Sequence, residues 1–211
     1  LPRINNLEKF DCNLKYTHIP NTVLQAITRT NFAAMPKLQK FKLNLEGVVL
    51  KEEEIQKFLR TVPNAMELEL GLGALWITDK ALVDFATSTL PRLNNVHVLK
   101  IDLFDNKITD VGVHKLLDNL PNICYLQVGL HPLNITDEGL SSFVKNKKPT
   151  MTNLKYLKID IEYGTGISKS LRKQIFQWNE QAIEMALKSD KLCVHIGELE
   201  HSEKNGMNNG R

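Results

Sequence analysis

Cysteine is scarce in this 211-residue chain: Cys12, Cys124 and Cys193 are the whole supply, with no CxxC among them. That excludes a disulfide framework and a zinc ribbon, and free thiols point to a reducing, intracellular and cytoplasmic setting. Aromatic residues make up only 7%. No run of about eighteen apolar residues occurs, so no helical span of a bilayer is expected. Charge of one sign is missing too. Lys and Arg number 27 against 24 Asp and Glu, a balance of +3, too mild to argue for nucleic acid or an anionic membrane. The chain opens on Leu1, and no charged-then-apolar leader follows it. What is present in normal measure is apolar residues, 42%, enough for a sizeable core in a chain of this length.

Those apolar residues recur. Leu1-Pro2-Arg3-Ile4-Asn5-Asn6-Leu7 returns as Leu90-Pro91-Arg92-Leu93-Asn94-Asn95-Val96, and Ile-Thr-Asp occurs at 77–79, 108–110 and 135–137. Aligned on these, six units share a template that is apolar at positions 1, 4, 6 and 8. In the second unit it is filled by Leu38, Phe41, Leu43 and Leu45, and in the fourth by Val96, Leu99, Ile101 and Leu103. The first positions fall at Leu7, Leu38, Ala65, Val96, Ile123 and Leu154, spaced alternately by 31 and 27 residues. Alternation over positions 4, 6 and 8 predicts a short strand with one buried face.

Each unit continues with apolar residues at helical spacing, such as Ile55 and Phe58, Leu82 and Phe85, Val113 and Leu116, Leu140 and Phe143. Thr78, Thr109 and Thr136 stand where an N-cap belongs, and Asp79, Asp110 and Asp137 put negative charge in the first turn. Pro2, Pro36, Pro63, Pro91, Pro121 and Pro149 fall between helix and next strand, where proline is expected to stop the helix. A unit is therefore strand, turn, helix, turn, and stacking such units in parallel buries what one alone cannot.

With its LxxLxLxL start, Ile-Thr-Asp-x-Gly/Ala helix start and period of 27 to 31, the chain resembles the leucine-rich repeats of the ribonuclease-inhibitor-like and cysteine-containing, F-box-associated types. The resemblance implies an α/β solenoid over residues 1–176: a right-handed βα horseshoe with a parallel concave sheet and convex helices. The chain departs from that pattern after the strand, where Glu46, Gly73, Phe104, His131 and Glu162 replace a regular Asn or Cys. Residues 168–189 read as a longer capping helix. Leu192-Cys193-Val194-His195-Ile196 then alternate as a seventh strand would, making 177–200 a C-terminal cap and 201–211 a flexible tail. The first unit has no cap, so its edge is expected to be covered by further repeats or another subunit.

A reading for chemistry finds no catalytic set, cofactor motif or metal site. The histidines are scattered, no GxxxxGK[ST] or GxSxG occurs, and Gly71-Leu72-Gly73 lacks the third glycine of a dinucleotide loop. Lys145, Lys147 and Lys148 read as a solvated corner and Trp178 as cap core. What remains is the outward face of the strands, positions 3, 5 and 7. Position 3 carries Val98, Tyr125 and Tyr156 on the last three strands, exposed neighbours of the kind that anchor interfaces. Position 5 alternates in sign, Asp11, Lys42, Glu69, Lys100, Gln127, Lys158, which predicts a cross-strand charge ladder. Position 7, with Gly71, Asp102, Gly129 and Asp160, is small and expected to leave room for a partner. The expectation is a non-enzymatic protein-interaction module or structural subunit, binding through Val98, Lys100, Asp102, Tyr125, Gln127, Tyr156, Lys158 and Asp160. The alternative is the recognition part of a longer protein, such as a ubiquitin-ligase adaptor or an enzyme with its catalytic domain upstream. Nucleic acid is not the expected partner, because Glu67 and Glu69 interrupt Lys9, Lys40, Lys42, Lys100 and Lys158.

Overall fold

The computed structural model describes residues 6–18, 21–30, 32, 35–131, 135–161 and 166–188. Six strands form one sheet in sequence order, and all five pairings are parallel. They are β1 (Lys9–Asn13), β2 (Lys40–Asn44), β3 (Glu67–Gly71), β4 (Val98–Asp102), β5 (Tyr125–Gly129) and β6 (Tyr156–Asp160). Each begins two residues after its template's first position, and the register pairs equivalent positions one for one, as in Phe41↔Leu68 and Leu43↔Leu70. Positions 4 and 6 are buried in β2 to β6 and positions 3 and 5 are half-exposed, so the apolar alternation does set which face is covered. In β1 the same positions are less buried; it has no outer neighbour among the described residues. Cys12, at the template's apolar position 6, is accordingly only half-buried and packed against the core.

The helices are α1 (Asn21–Arg29), α2 (Glu52–Arg60), α3 (Asp79–Asp84), α4 (Asp110–Asp118), α5 (Asp137–Ser142), α6 (Lys148–Thr150) and α7 (Lys169–Lys188). Their buried residues, among them Ile55, Leu82, Val113 and Leu140, join the strands' Phe41, Leu70, Leu99 and Val128 in a single apolar core. The helices therefore cover one face of the sheet and leave the other open.

The alternating repeat length has a structural cause. The two 27-residue units carry nine-residue helices, α2 and α4, that end in a simple turn. In the units starting at Ala65 and Ile123 the helix continues instead through a π-helical turn, Phe85–Thr89 or Phe143–Lys147, into one short final turn. Phe85 and Ala86, or Phe143 and Val144, begin the π-helical turn and are buried where the shorter units bury Phe58 and Leu59, or Leu116 and Leu117. Pro91 and Pro149 sit at the start of that final turn, where the missing N–H costs nothing, rather than stopping the helix before it. The helix expected over 168–189 is α7, and Trp178 packs against the core with the Lys148 ammonium 4.6 Å from its ring centre. The strand expected over 192–196 and the tail from residue 201 lie outside the described residues.

Candidate functional site

Adjacent units are tied by side chains whose roles are only partly visible in the sequence. Thr78, Thr109 and Thr136 cap their helices as expected, each hydroxyl accepting from the N–H two residues on. Each threonine also donates, through its N–H and hydroxyl, to an acid in the preceding helix: Thr78 to Glu52, Thr109 to Asp79, Thr136 to Asp110. Ser168 continues the ladder by donating its N–H to Asp137 at 2.7 Å. The aspartates thus serve the next unit as well as their own helix dipole. Gly112 completes one link by donating to Asp79 Oδ1 at 3.0 Å, and a Cβ at Gly112 would stand 2.5 Å from that oxygen. A Cβ at Gly139 would likewise stand 2.5 Å from Asp110 Oδ1.

Asn106 is the residue that sequence reasoning missed. It occupies template position 11 in one unit alone, so no periodic signal marks it. Its Nδ2 donates to the carbonyls of Leu72 (2.8 Å) and Leu103 (2.9 Å), and its Oδ1 accepts from Leu75 and Ile77. One half-buried amide thereby stitches the turns of two units. In these turns position 10 adopts a left-handed conformation: Tyr16, Gly47, Ala74 and Asp105 have φ of 55, 67, 52 and 51°. Glu46, just after β2, is a buried acid and meets Lys15 at 2.7 Å.

On the open face the charge ladder is present over β2 and β3. Lys40–Glu67 and Lys42–Glu69 each close to 2.6 Å. Burial pulls the Lys42 ammonium down, but its hydrogen bond and attraction to Glu69 outweigh this and hold its pKa above the usual lysine value. Toward β6 the face changes character. The rings of Tyr125 and Tyr156 lie stacked, 4.2 Å between centres and 8° between planes, half-buried rather than fully exposed. Val98 is directly opposite Tyr125 in register. The Lys100 ammonium sits 5.6 Å from the centre of the Tyr125 ring, and the Tyr125 hydroxyl donates to Gln127 at 3.4 Å. Lys158 meets Asp160 at 3.4 Å. A depression over this part of the face is lined by Lys42, Glu69, Lys100, Asp102, Gln127 and Asp160.

Position 7 borders that depression through Asn44, Gly71, Asp102, Gly129 and Asp160, and its glycines have a packing role as well. A Cβ on Gly71 would lie 2.5 Å from Asn44 Oδ1, and one on Gly129 2.5 Å from Asp102 Oδ1. The Asx side chain of one strand fills the space above the glycine of the next, so these glycines are required by packing within the sheet. Asp102 accepts the Phe104 N–H at 3.2 Å. Its carboxyl is nevertheless pushed up from the ordinary range, first by burial and then by Glu46 and Asp160, against the opposing pull of that bond and of His131.

Cys12 and Cys124 are free thiols, and burial, with Asp11 beside it, pushes the Cys12 thiol up. Cys193 lies outside the described residues. Among the described residues no group of three His, Cys, Asp or Glu could hold a metal ion, and no helix is long and apolar enough to cross a membrane. A second, apolar hollow beside β6 is lined by Ile159, Ile161, Ile167, Ile175 and Phe176.

No protein-family model matches the chain, and no curated protein does. Among solved structures it is similar to Leiomodin-1 Actin-Binding Site 2 (ABS2), at a TM-score of 0.56 over 86% of this chain and 95% of that one. The likeness is one of fold. At 12% identity it carries no correspondence of site residues.

Proposed function

We propose that the chain is a non-enzymatic leucine-rich-repeat module that docks a protein partner on the open face of its sheet, around Val98, Tyr125 and Tyr156. The observation that carries this reading is the stacked tyrosine pair. Two large rings sit side by side on an unpartnered sheet face, next to an aliphatic side chain and within reach of Lys100. Such anchors contribute most of the affinity in protein interfaces. The six in-register units and the Asn106 stitch support the solenoid reading, of ribonuclease-inhibitor-like or cysteine-containing type. The solved neighbour is named an actin-binding site, and a protein ligand is equally what we propose here. Free Cys12 and Cys124 suit an intracellular setting.

The test starts from a partner recovered with the full-length protein and identified by mass spectrometry. Its affinity is then measured for the wild type, for Tyr125→Ala with Tyr156→Ala, and for Lys42→Ala. The tyrosine double change should weaken binding by about 2 kcal/mol or more, and Lys42→Ala by less than about 1 kcal/mol. Wild-type affinity in a folded tyrosine variant would move the interface off this face.

A further inference from the structure

On β4 to β6 the outward side chains fall into three rows that cross the strands. Val98, Tyr125 and Tyr156 are opposite one another in register, as are Lys100, Gln127 and Lys158, and then Asp102, Gly129 and Asp160. Successive rows are two residues apart along each strand, about 6.6 Å. Along the strand direction the face is thus apolar, then cationic, then anionic. Over β2 and β3 the cations are already matched, each by a glutamate at 2.6 Å. Over β4 they are not. Among the described residues Lys100 makes no ion pair and leans on the Tyr125 ring. Among the described residues the Asp102 carboxylate accepts a backbone N–H and makes no ion pair, while Glu46 and Asp160 bring more negative charge toward it against the pull of His131. On β6 the two rows meet loosely, at 3.4 Å, with both side chains more than a third exposed.

We propose that this face takes an extended protein segment presenting an apolar, an acidic and a basic side chain, in that order along the strand direction and at alternate residues. The apolar group covers the tyrosine stack, the carboxylate meets Lys100, and the cation meets Asp102 and Asp160. Alternate side chains of an extended chain repeat at the same spacing as the rows, so all three contacts form without bending the segment. A segment with acid and base exchanged sets cation against Lys100 and carboxylate against Asp102. Charge order of this kind selects partners chiefly by excluding the wrong ones. The acidic row also opposes a nucleic-acid backbone, whose phosphates are all of one sign. The inference rests on the docking function proposed above and names the partner chemistry for that site.

The test is a selection of random nine-residue peptides displayed on phage against the full chain, followed by affinity measurements on the synthetic peptides recovered. The expected consensus is apolar-x-acid-x-base, or its reverse when the peptide runs antiparallel to the strands. Exchanging acid and base in a selected peptide should weaken binding at least tenfold. The chain carrying Lys100→Glu with Asp102→Lys should prefer the exchanged peptide, and circular dichroism checks its fold. If that variant does not fold, Lys100→Gln should erase at least half of the preference on a logarithmic scale. Peptides that lose affinity for Tyr125→Ala with Tyr156→Ala yet ignore the acid–base exchange would overturn the charge order and leave the docking function standing. Peptides that bind the tyrosine variant as well as the wild type would overturn both, and so would failure to enrich any peptide. Salt-dependent capture of random single-stranded oligonucleotides, abolished by Lys100→Glu, would replace the protein segment with nucleic acid.

Discussion

Alanine in place of glycine inside a helix ordinarily stabilises it by about 1 kcal/mol. At Gly112 the sign should reverse. The added Cβ would stand 2.5 Å from Asp79 Oδ1 and push away a carboxylate that serves Thr109 and Gly112 itself. Hydrogen bonds to a charged group are worth about 1.5 to 3 kcal/mol each, so a loss of about 2 kcal/mol is expected in urea titration. Combining Gly112→Ala with Asp79→Ala should cost less than the sum of the two single changes, because the clash and the bonds share one oxygen. Additive costs would show that the glycine serves something other than this carboxylate.

Asp102 makes the second prediction. Its folded-state pKa is raised, so between the ordinary carboxylate value and that raised value the folded chain binds more protons than the unfolded one. Stability attributable to this group therefore falls as pH rises through that window and stays lower above it. Asn44 fills the same position over Gly71 and accepts the N–H of Glu46 in the same way, so asparagine fits the site without charge. Asp102→Asn should raise the melting temperature at neutral pH, and the gap should close in acid. A gap independent of pH would assign the effect to shape rather than to the buried charge.

Among the turns, Asn106 does for one junction what backbone ladders do elsewhere. Replacing it with alanine leaves the Leu75 and Ile77 N–H groups and the Leu72 and Leu103 carbonyls without this partner. Several such groups in a half-buried turn should cost about 2 to 3 kcal/mol together, read as a shift in the urea midpoint at unchanged slope. Ala74 is the converse case. It holds φ at 52° in the turn where the second unit uses Gly47, a conformation that costs an L-residue about 1 to 2 kcal/mol. Ala74→Gly should stabilise the chain by somewhat under 1 kcal/mol, since glycine's extra freedom in the unfolded chain offsets part of the relief.

Across the assembled sheet, protection from the middle strands outward should decline. β3 and β4 are paired on both sides and bury positions 4 and 6, whereas β1 is an edge whose apolar residues are only half-buried. Amide hydrogen exchange of the full chain should therefore be slowest in β3 and β4 and fastest in β1. Equal protection in β1 would mean that something covers its outer edge.

The repeat, the parallel order, the register and the identity of the covered face are all legible in the sequence. They follow from apolar periodicity, and burying a stripe along every unit leaves one way to stack them. Thr78, Thr109 and Thr136 were legible as caps for the same local reason, since a cap acts within its own turn. What Asp79 and Asp110 do for the next unit was not, although a glycine two residues after Asp110 and after Asp137 was the trace it left. The packing role of the glycines at position 7 was not legible either, because the space above Gly71 and Gly129 depends on where Asn44 and Asp102 lean. The eight residues expected to form the docking surface do share one half of the open face, but the stacking of Tyr125 on Tyr156 and the leaning of Lys100 on the Tyr125 ring, while its neighbour in register Glu69 pairs with Lys42, are facts of side-chain packing. Periodicity is a property of the chain taken one unit at a time. Contacts between units involve side chains some 24 to 34 residues apart, and only the folded sheet brings those within reach.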